Sequence, residues 1–270
     1  MEHRHYRRPR RRRSVLGRLM TFLVICLVLF LGVSVFFRVD EIVVTGETRY
    51  SDEEVIAASG IASGDHLFLI NAVAAGREIR TRLPYIGQAE IRRQFPNRLE
   101  ITVSETAPVA KLRFEGGYLI LDRDAKIVEH TTQTPLTRLV HLLGLPEPLL
   151  PREGEVLNLG EDEADRLRYL RDILAAISTL GIAGDVSRID LTELHDPEMI
   201  YLNERFTVRL GPNRGLHHKI DLLVGIVATI AEDDRGTIDL NPAMPVFRPE
   251  RPDVPDELDV LDRGYEEEES

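Results

Sequence analysis

Eight histidines, a large stock of carboxylates and a single cysteine are the residues of this 270-residue chain whose types could support chemistry. The histidines stand at His3, His5, His66, His130, His141, His195, His217 and His218, without a spacing that joins them. His217 and His218 are adjacent, so on a helix they point about 100° apart and cannot share a metal as an i, i+4 pair can. Glu161-Asp162-Glu163 reads as the acidic first turn of a helix, favoured there by the helix dipole, rather than as a catalytic cluster. A glycosidase pair of carboxylates is defined by its separation in the fold, so the sequence leaves that chemistry open. HExxH, GxSxG, SxxK and a phosphate-cradling glycine loop are all missing from the chain. Cys26 lies inside an apolar run, which leaves no thiol elsewhere for a sortase-like transpeptidase. The missing motifs argue for a binding module rather than an enzyme, with no metal, cofactor or small-molecule substrate expected.

The run holding Cys26 decides where the rest of the chain must work. Leu19 to Phe37 carries no charge, and 19 helical residues rise roughly 28 Å, enough to cross a hydrocarbon core. Residues 1–18 hold eight arginines against Glu2 alone, a bias that keeps this end cytoplasmic and sends the chain after Arg38 outside. A cleaved signal peptide is the competing reading. Its apolar core would be shorter, and it would leave on small residues rather than on Ser34-Val35-Phe36-Phe37-Arg38, so an uncleaved anchor is predicted. With Cys26 the sole cysteine, no intrachain disulfide can form and the exported part depends on its core. Residues 250–270 hold ten acids against Arg251 and Arg263, and the chain between the two ends is acidic as well. Such a surface repels nucleic acid, so the basic arm reads as a topology and anionic-lipid signal.

Beyond the anchor, Val39 to Val44 forms a strand-like run ending at Thr45-Gly46. Ser51-Asp52-Glu53-Glu54 has the form of a capping box, opening a helix that stops near Gly60. Asn71 caps a second helix, expected to turn Val73, Ile79 and Leu83 inward, and Pro84 ends it. Strands follow at 86–95 and 99–105, joined by a tight turn at Pro96-Asn97. Past Pro108 come short strands at 109–114, 118–121 and 126–129, then a loop over 144–160. A helix over 162–180 is predicted from Leu167, Leu170, Ile173, Leu174 and Ile177. Strands are expected at 186–191, 199–202, 206–210 and 237–240, with a helix from Ile220 to Ile230 between the last two. After Pro249 the acidic segment is predicted to be disordered.

One stretch carries a resemblance. Val39-Asp40-Glu41-Ile42-Val43-Val44-Thr45-Gly46, Tyr50-Ser51, Arg82-Leu83-Pro84-Tyr85-Ile86, Phe95-Pro96-Asn97-Arg98-Leu99, Glu105 and Pro108-Val109-Ala110 follow one another in order. Together they resemble a POTRA domain of the FtsQ/DivIB type, the family of bacterial cell-division proteins. The resemblance implies an α+β fold with a single N-terminal transmembrane helix, a POTRA domain of order β-α-α-β-β and a C-terminal β-rich domain with packed helices. The implied parts are a basic cytoplasmic tail (1–18), the transmembrane helix (19–37), the POTRA domain (38–107), the FtsQ/DivIB-like β domain (108–248) and an acidic tail (249–270).

By the same resemblance the chain is a non-catalytic divisome scaffold in the cell membrane at the septum. It would be a single-pass, type II protein whose partners are the FtsB/DivIC-like and FtsL-like bitopic division proteins. In that family the partner contact lies near the last strands and extends their sheet. The corresponding residues here are Thr237, Ile238, Asp239, Leu240, Val246 and Phe247, with Pro242 and Pro245 shortening the strand because proline donates no ladder bond. Val246 and Phe247 either anchor a partner helix or close the core. A membrane-anchored cell-wall hydrolase or transferase is the alternative reading. A translocation role, the third, lacks the long series of membrane strands that a barrel needs.

Overall fold

The computed structural model describes residues 15–135, 138–242 and 244–250. Most of the expected cytoplasmic tail and nearly all of the acidic C-terminal segment fall outside these residues. Helix α1 (Val15–Phe36) opens the described chain, and its described side chains from Gly17 to Leu29 are all exposed. Among the described residues no helix is long and apolar enough to cross a membrane. The chain divides into two compact units, the first ending at Ser104 and including α1, the second beginning at Glu105. The fold is α+β.

In the first unit, β1 (Glu41–Thr45), α2 (Asp52–Ser59), α3 (Ala72–Arg82), β2 (Ile86–Gln94) and β3 (Arg98–Glu105) follow in the expected order. The three strands lie in the order β1-β3-β2, with β1 parallel to β3 from Glu41 opposite Arg98 to Thr45 opposite Thr102. The capping box forms as the sequence indicates. The Ser51 hydroxyl accepts from the Glu54 amide at 3.3 Å and the Glu54 carboxylate accepts from the Ser51 amide at 2.8 Å. Asn71 Oδ1 caps α3 by accepting from the Ala74 amide at 3.1 Å. Val55, Leu67, Ile79, Ile86, Leu99 and Ile101 make the core.

Val73, expected inside, is instead one of the most exposed apolar residues. The face of α3 against the sheet is built from Ala75, Gly76, Ile79 and Leu83. A Cβ on Gly76 would meet the Ala89 carbonyl oxygen at 2.8 Å. The helix therefore lies too close to β2 for a larger side chain at that position, and the small residues face inward.

The second unit is one nine-stranded sheet carrying two helices. Its strands are β4 (Ala110–Phe114), β5 (Gly117–Leu121), β6 (Ile127–Thr131), β7 (Val140–Leu143), β8 (Val186–Asp190), β9 (Glu198–Tyr201), β10 (Phe206–Arg209), β11 (Gly236–Asp239) and β12 (Val246–Pro249). Their spatial order is β12-β11-β10-β9-β8-β7-β4-β5-β6. Helices α4 (Ala164–Thr179) and α5 (Leu216–Val227) each sit in a connection between two parallel neighbours, β7 to β8 and β10 to β11. Parallel pairing demands such a crossover, because a tight turn can return only an antiparallel strand. Tyr169, Leu170, Ile173, Leu174 and Ile177 of α4 and Leu216, Ile220 and Leu223 of α5 share one core with the sheet. The buried Tyr169 phenol, pushed above its ordinary pKa by burial and then by Asp196, donates to the Gly211 carbonyl. Strands β7 and β12 carried no sequence expectation.

Two glycines separate backbone strain from steric collision. Gly60 closes α2 at φ +68° with open space where a Cβ would stand, whereas Gly46 at φ +113° would place its Cβ 1.9 Å from the Val103 carbonyl oxygen. Gly60→Ala should cost about 1 kcal/mol from the left-handed conformation alone. Gly46→Ala should cost clearly more, upwards of about 2 kcal/mol, because β1 must shift away from β3. Hydrogen-exchange protection of the β1 and β3 amides would show the difference, and equal losses for the two variants would contradict it.

Candidate docking surface at the last strands

The end strands of a sheet present N–H and C=O groups that the sheet itself does not pair, and the two ends of the nine-stranded sheet are treated differently. At β6 the chain folds back over its own edge. Lys126 forms a bridge with Val156, the Ile127 amide donates to the Glu155 carbonyl at 2.9 Å, and the Gly154 amide donates to the Ile127 carbonyl at 2.8 Å. At the other end β12 is the last strand of the sheet among the described residues.

The six residues assigned to partner contact from the sequence fall in three places. Ile238 and Leu240 are wholly buried in the core, and β11 is flanked by β10 on one side and β12 on the other. The expectation that 237–240 supplies the sheet's edge is therefore corrected: a second strand, β12, covers it. Phe247 is half-buried and packs against that core, its ring edge-on to Phe206 at 6.0 Å. Val246 is exposed. Of the two roles left open for this pair, Phe247 closes the core, and Val246 remains on the surface.

Thr237 and Asp239 lie on the opposite face of β11 from Ile238 by strand alternation. That face carries an open cleft of about 550 Å³ lined by Glu198, Arg205, Thr207, Arg209, Thr237 and Arg248. Asp239 is buried, with Arg209 Nη1 at 3.9 Å and Arg248 Nη2 at 4.0 Å, and its Oδ1 accepts from the Asn241 amide at 3.0 Å. Asp196 pairs with Arg209 from the other side and is the main reason that the guanidinium is held above its ordinary pKa. Arg205 is spent on structure: its Nε donates to the Asp234 carbonyl at 2.8 Å while its guanidinium covers the Phe206 ring at 4.6 Å. Arg248, on the terminal strand and exposed, is the cation best placed to meet an incoming chain. The sequence reading did not find it, because a four-residue strand bounded by prolines gives almost no periodic signal.

The pairing register fixes what β12 can offer. Glu250 donates its amide to the Arg235 carbonyl at 2.8 Å, so in an antiparallel ladder Arg248 and Val246 also turn their amides inward. Phe247 then points its N–H and C=O outward. Pro245 and Pro249, two positions to either side, present only carbonyls. The open edge thus offers one donor between acceptors. His217 and His218, on α5, are exposed, and no group of three or more His, Cys, Asp or Glu side chains among the described residues is placed to hold a metal.

Comparison with known proteins gives this geometry a context. Residues 37–106 match the family described as POTRA domain, FtsQ-type. The chain is 32% identical to the cell division protein FtsQ of Corynebacterium glutamicum over 142 residues, which is 50% of this chain and 63% of the relative. It is 30% identical to the cell division protein FtsQ of Anaeromyxobacter sp. strain K over 207 residues, 74% of this chain and 66% of the relative. These matches span just under two thirds of each relative's length. The cell division protein DivIB of Clostridium botulinum matches at 22% over 244 residues, 89% of this chain and 93% of the relative. The solved extracytoplasmic domain of DivIB from Geobacillus stearothermophilus aligns at 16% identity and TM-score 0.27, covering 47% of this chain and 99% of that one. Carrying an FtsQ-type POTRA segment at 37–106 and FtsQ and DivIB relatives along most of its length, the chain belongs to the FtsQ/DivIB family of bacterial cell-division proteins.

Proposed function

We propose that the chain is a non-catalytic, single-pass adaptor of the septal division machinery, linking septal peptidoglycan synthesis to other division proteins outside the membrane. The observation that carries this reading is the sheet edge at β12, which no other strand covers among the described residues and which lies beside an arginine-bearing face, while the opposite edge is covered by the chain itself. The partners are small bitopic proteins of the FtsB/DivIC and FtsL kinds, one of them adding a strand alongside Phe247. Of the six residues assigned from the sequence, Thr237 and Val246 stay as side-chain contacts, and the buried Asp239 supports Arg209 and Arg248 beside them. Phe247 contributes its backbone, and Ile238 and Leu240 support the strand from the core.

Membrane anchoring by α1 is the second part of the reading. Leu19, Met20, Phe22, Leu23, Val24, Ile25, Leu27, Val28 and Leu29 are all exposed, and near-consecutive helical residues cover every direction around the axis. A helix apolar on all sides suits lipid and not water. The uncharged run from Leu19 to Phe37 in the sequence supports a span of roughly 28 Å, and the arginines ahead of it favour a cytoplasmic N-terminus. One membrane helix keeps the exported units, taken as 38–107 and 108–248, in a thin layer where other single-span proteins also lie. This raises their effective concentration without any new contact.

Co-purification of the full chain with a small bitopic coiled-coil division protein tests the docking edge. Val246→Arg combined with Arg248→Ala alters only exposed side chains of β12 and should lower the captured partner about tenfold, while Leu150→Glu, in an exposed loop of the same unit, leaves capture intact. Undiminished capture by a normally folded double variant would move the docking surface elsewhere. The non-catalytic part has its own measurement. The purified chain incubated with peptidoglycan sacculi should release no soluble muropeptides or cross-linked products above the buffer blank, and release would favour a wall hydrolase or transferase.

A further inference from the structure

The end of α1 does not lead into a loose tether. The Leu67 amide donates to the Phe37 carbonyl at 2.9 Å, the Val39 amide to the Asp65 carbonyl at 2.8 Å, and the Gly64 amide to the Val39 carbonyl at 2.7 Å. Arg38 and His66 form an antiparallel bridge, and the Asp40 amide donates to the Asn97 carbonyl at 2.9 Å. Within four residues of its last turn the helix is therefore laced to the 64–67 loop and to the tip of the β2-β3 hairpin.

Those two segments carry aromatic rings that meet at the exit. Phe37 lies 5.1 Å from Phe68 and 5.9 Å from Phe95, Phe68 and Phe95 are 5.5 Å apart, and Phe36 stands edge-on to Phe37 at 5.5 Å. The cluster is not buried: Phe68 is 52% exposed, Phe95 61%, and the adjoining Leu69 83%. The loop is held in this posture by Arg93, whose Nε donates to the Leu67 carbonyl at 2.9 Å and whose Nη2 donates to the Ile70 carbonyl at 2.6 Å. Arg38 is exposed beside it, with Nη1 on the Gly64 carbonyl at 3.3 Å. The nearby carboxylate of Asp65 is turned back onto the Ala62 amide at 2.9 Å.

We infer that Phe68, Leu69 and Phe95 form a collar that rests in the lipid headgroup and upper acyl region of the extracytoplasmic leaflet, with Arg38 and Arg93 available to lipid phosphates. The inference rests on reading α1 as a membrane span. It follows from continuity: the rings touch Phe37, the residue directly after the helix, so a helix end at the bilayer surface puts them at the same depth. Phe and Leu side chains enter the headgroup and acyl boundary as the apolar face of interfacial segments, and cations beside them meet phosphate there. Three exposed apolar side chains in water at this point would otherwise have no compensation. The collar sets the POTRA unit against the membrane at a fixed tilt instead of leaving it to swing on a linker.

Fluorescence quenching on the full chain in phosphatidylcholine–phosphatidylglycerol liposomes tests this. A bimane probe is placed at Cys26, or, in a Cys26→Ser background, at 69 (Leu69→Cys) or 62 (Ala62→Cys). Ala62 is an exposed residue of the same α2–α3 connection that lies outside the collar. Lipids bearing a nitroxide deep in the acyl chain should quench the probe at 26. Lipids with a shallow nitroxide should quench the probe at 69 roughly threefold more than the probe at 62, with blue-shifted emission at 69. Adding Phe68→Asp and Phe95→Asp should bring 69 down to the level of 62. Quenching at 26 with water-like, equal signals at 69 and 62 overturns the collar and leaves the membrane helix standing, as does a signal at 69 unaffected by the two aspartates. No quenching at 26 overturns both.

Discussion

Every backbone N–H and C=O of a buried strand must find a partner, and the C-terminal unit is arranged around that requirement. Parallel neighbours β7 and β8, and β10 and β11, can be joined only by crossovers, so α4 and α5 stand where they do and bring the apolar faces that cover the sheet. One terminal strand is satisfied by the chain between Gly154 and Val156. The other, β12, is short, bracketed by proline and left with a single outward donor. What the unit can bind follows from where its own hydrogen bonding runs out.

Much of this was readable in the sequence wherever a signal was local. The capping box at Ser51 and Glu54, the Asn71 cap and the apolar repeat of α4 depend on residues within one or two turns, and all three appear in the structure. The POTRA order was legible for the same reason, each element being punctuated by Gly46, Gly60, Pro84 or the 95–97 turn. What escaped depended on distant neighbours. Val73 has an inward-looking position on paper, yet the close approach of α3 to Ala89 reserves the inner face for small residues. Strand β7 reads Val140-His141-Leu142-Leu143, which does not alternate, and β12 is bracketed by Pro245 and Pro249, which read as loop. The alternation of Thr237, Ile238, Asp239 and Leu240 identifies a strand, but whether it is an edge depends on a partner that lies after two prolines. That information is tertiary.

The two proposed interaction surfaces would make unequal demands. At the membrane the collar would act through apolar area and needs no specific partner, so it constrains orientation and not identity. At β12 the demand is directional: a strand must arrive with its donors facing the carbonyls of Pro245, Phe247 and Pro249. Such a geometry discriminates between partners, and the prolines also protect the edge from pairing with another copy of itself, since two such edges would bring carbonyls against carbonyls.

The same arithmetic limits how tightly the edge can hold anything. One donor and a few acceptors give a handful of interstrand hydrogen bonds, each worth about 0.5–1.5 kcal/mol net, which together fall short of a stable complex between freely diffusing molecules. Two further sources must supply the rest. Side chains of Thr237, Val246 and Arg248 add contact area, with Arg248 able to exchange part of its distant pairing to Asp239 for a partner carboxylate. Confinement by α1, on the proposed reading of it as an anchor, would remove much of the entropic cost when the partner lies in the same membrane. On the proposed reading, an edge this weak joined to a membrane anchor would select for partners that are themselves membrane-bound. Soluble proteins with exposed strands would meet the same hydrogen-bonding groups without the gain in local concentration, and would not stay.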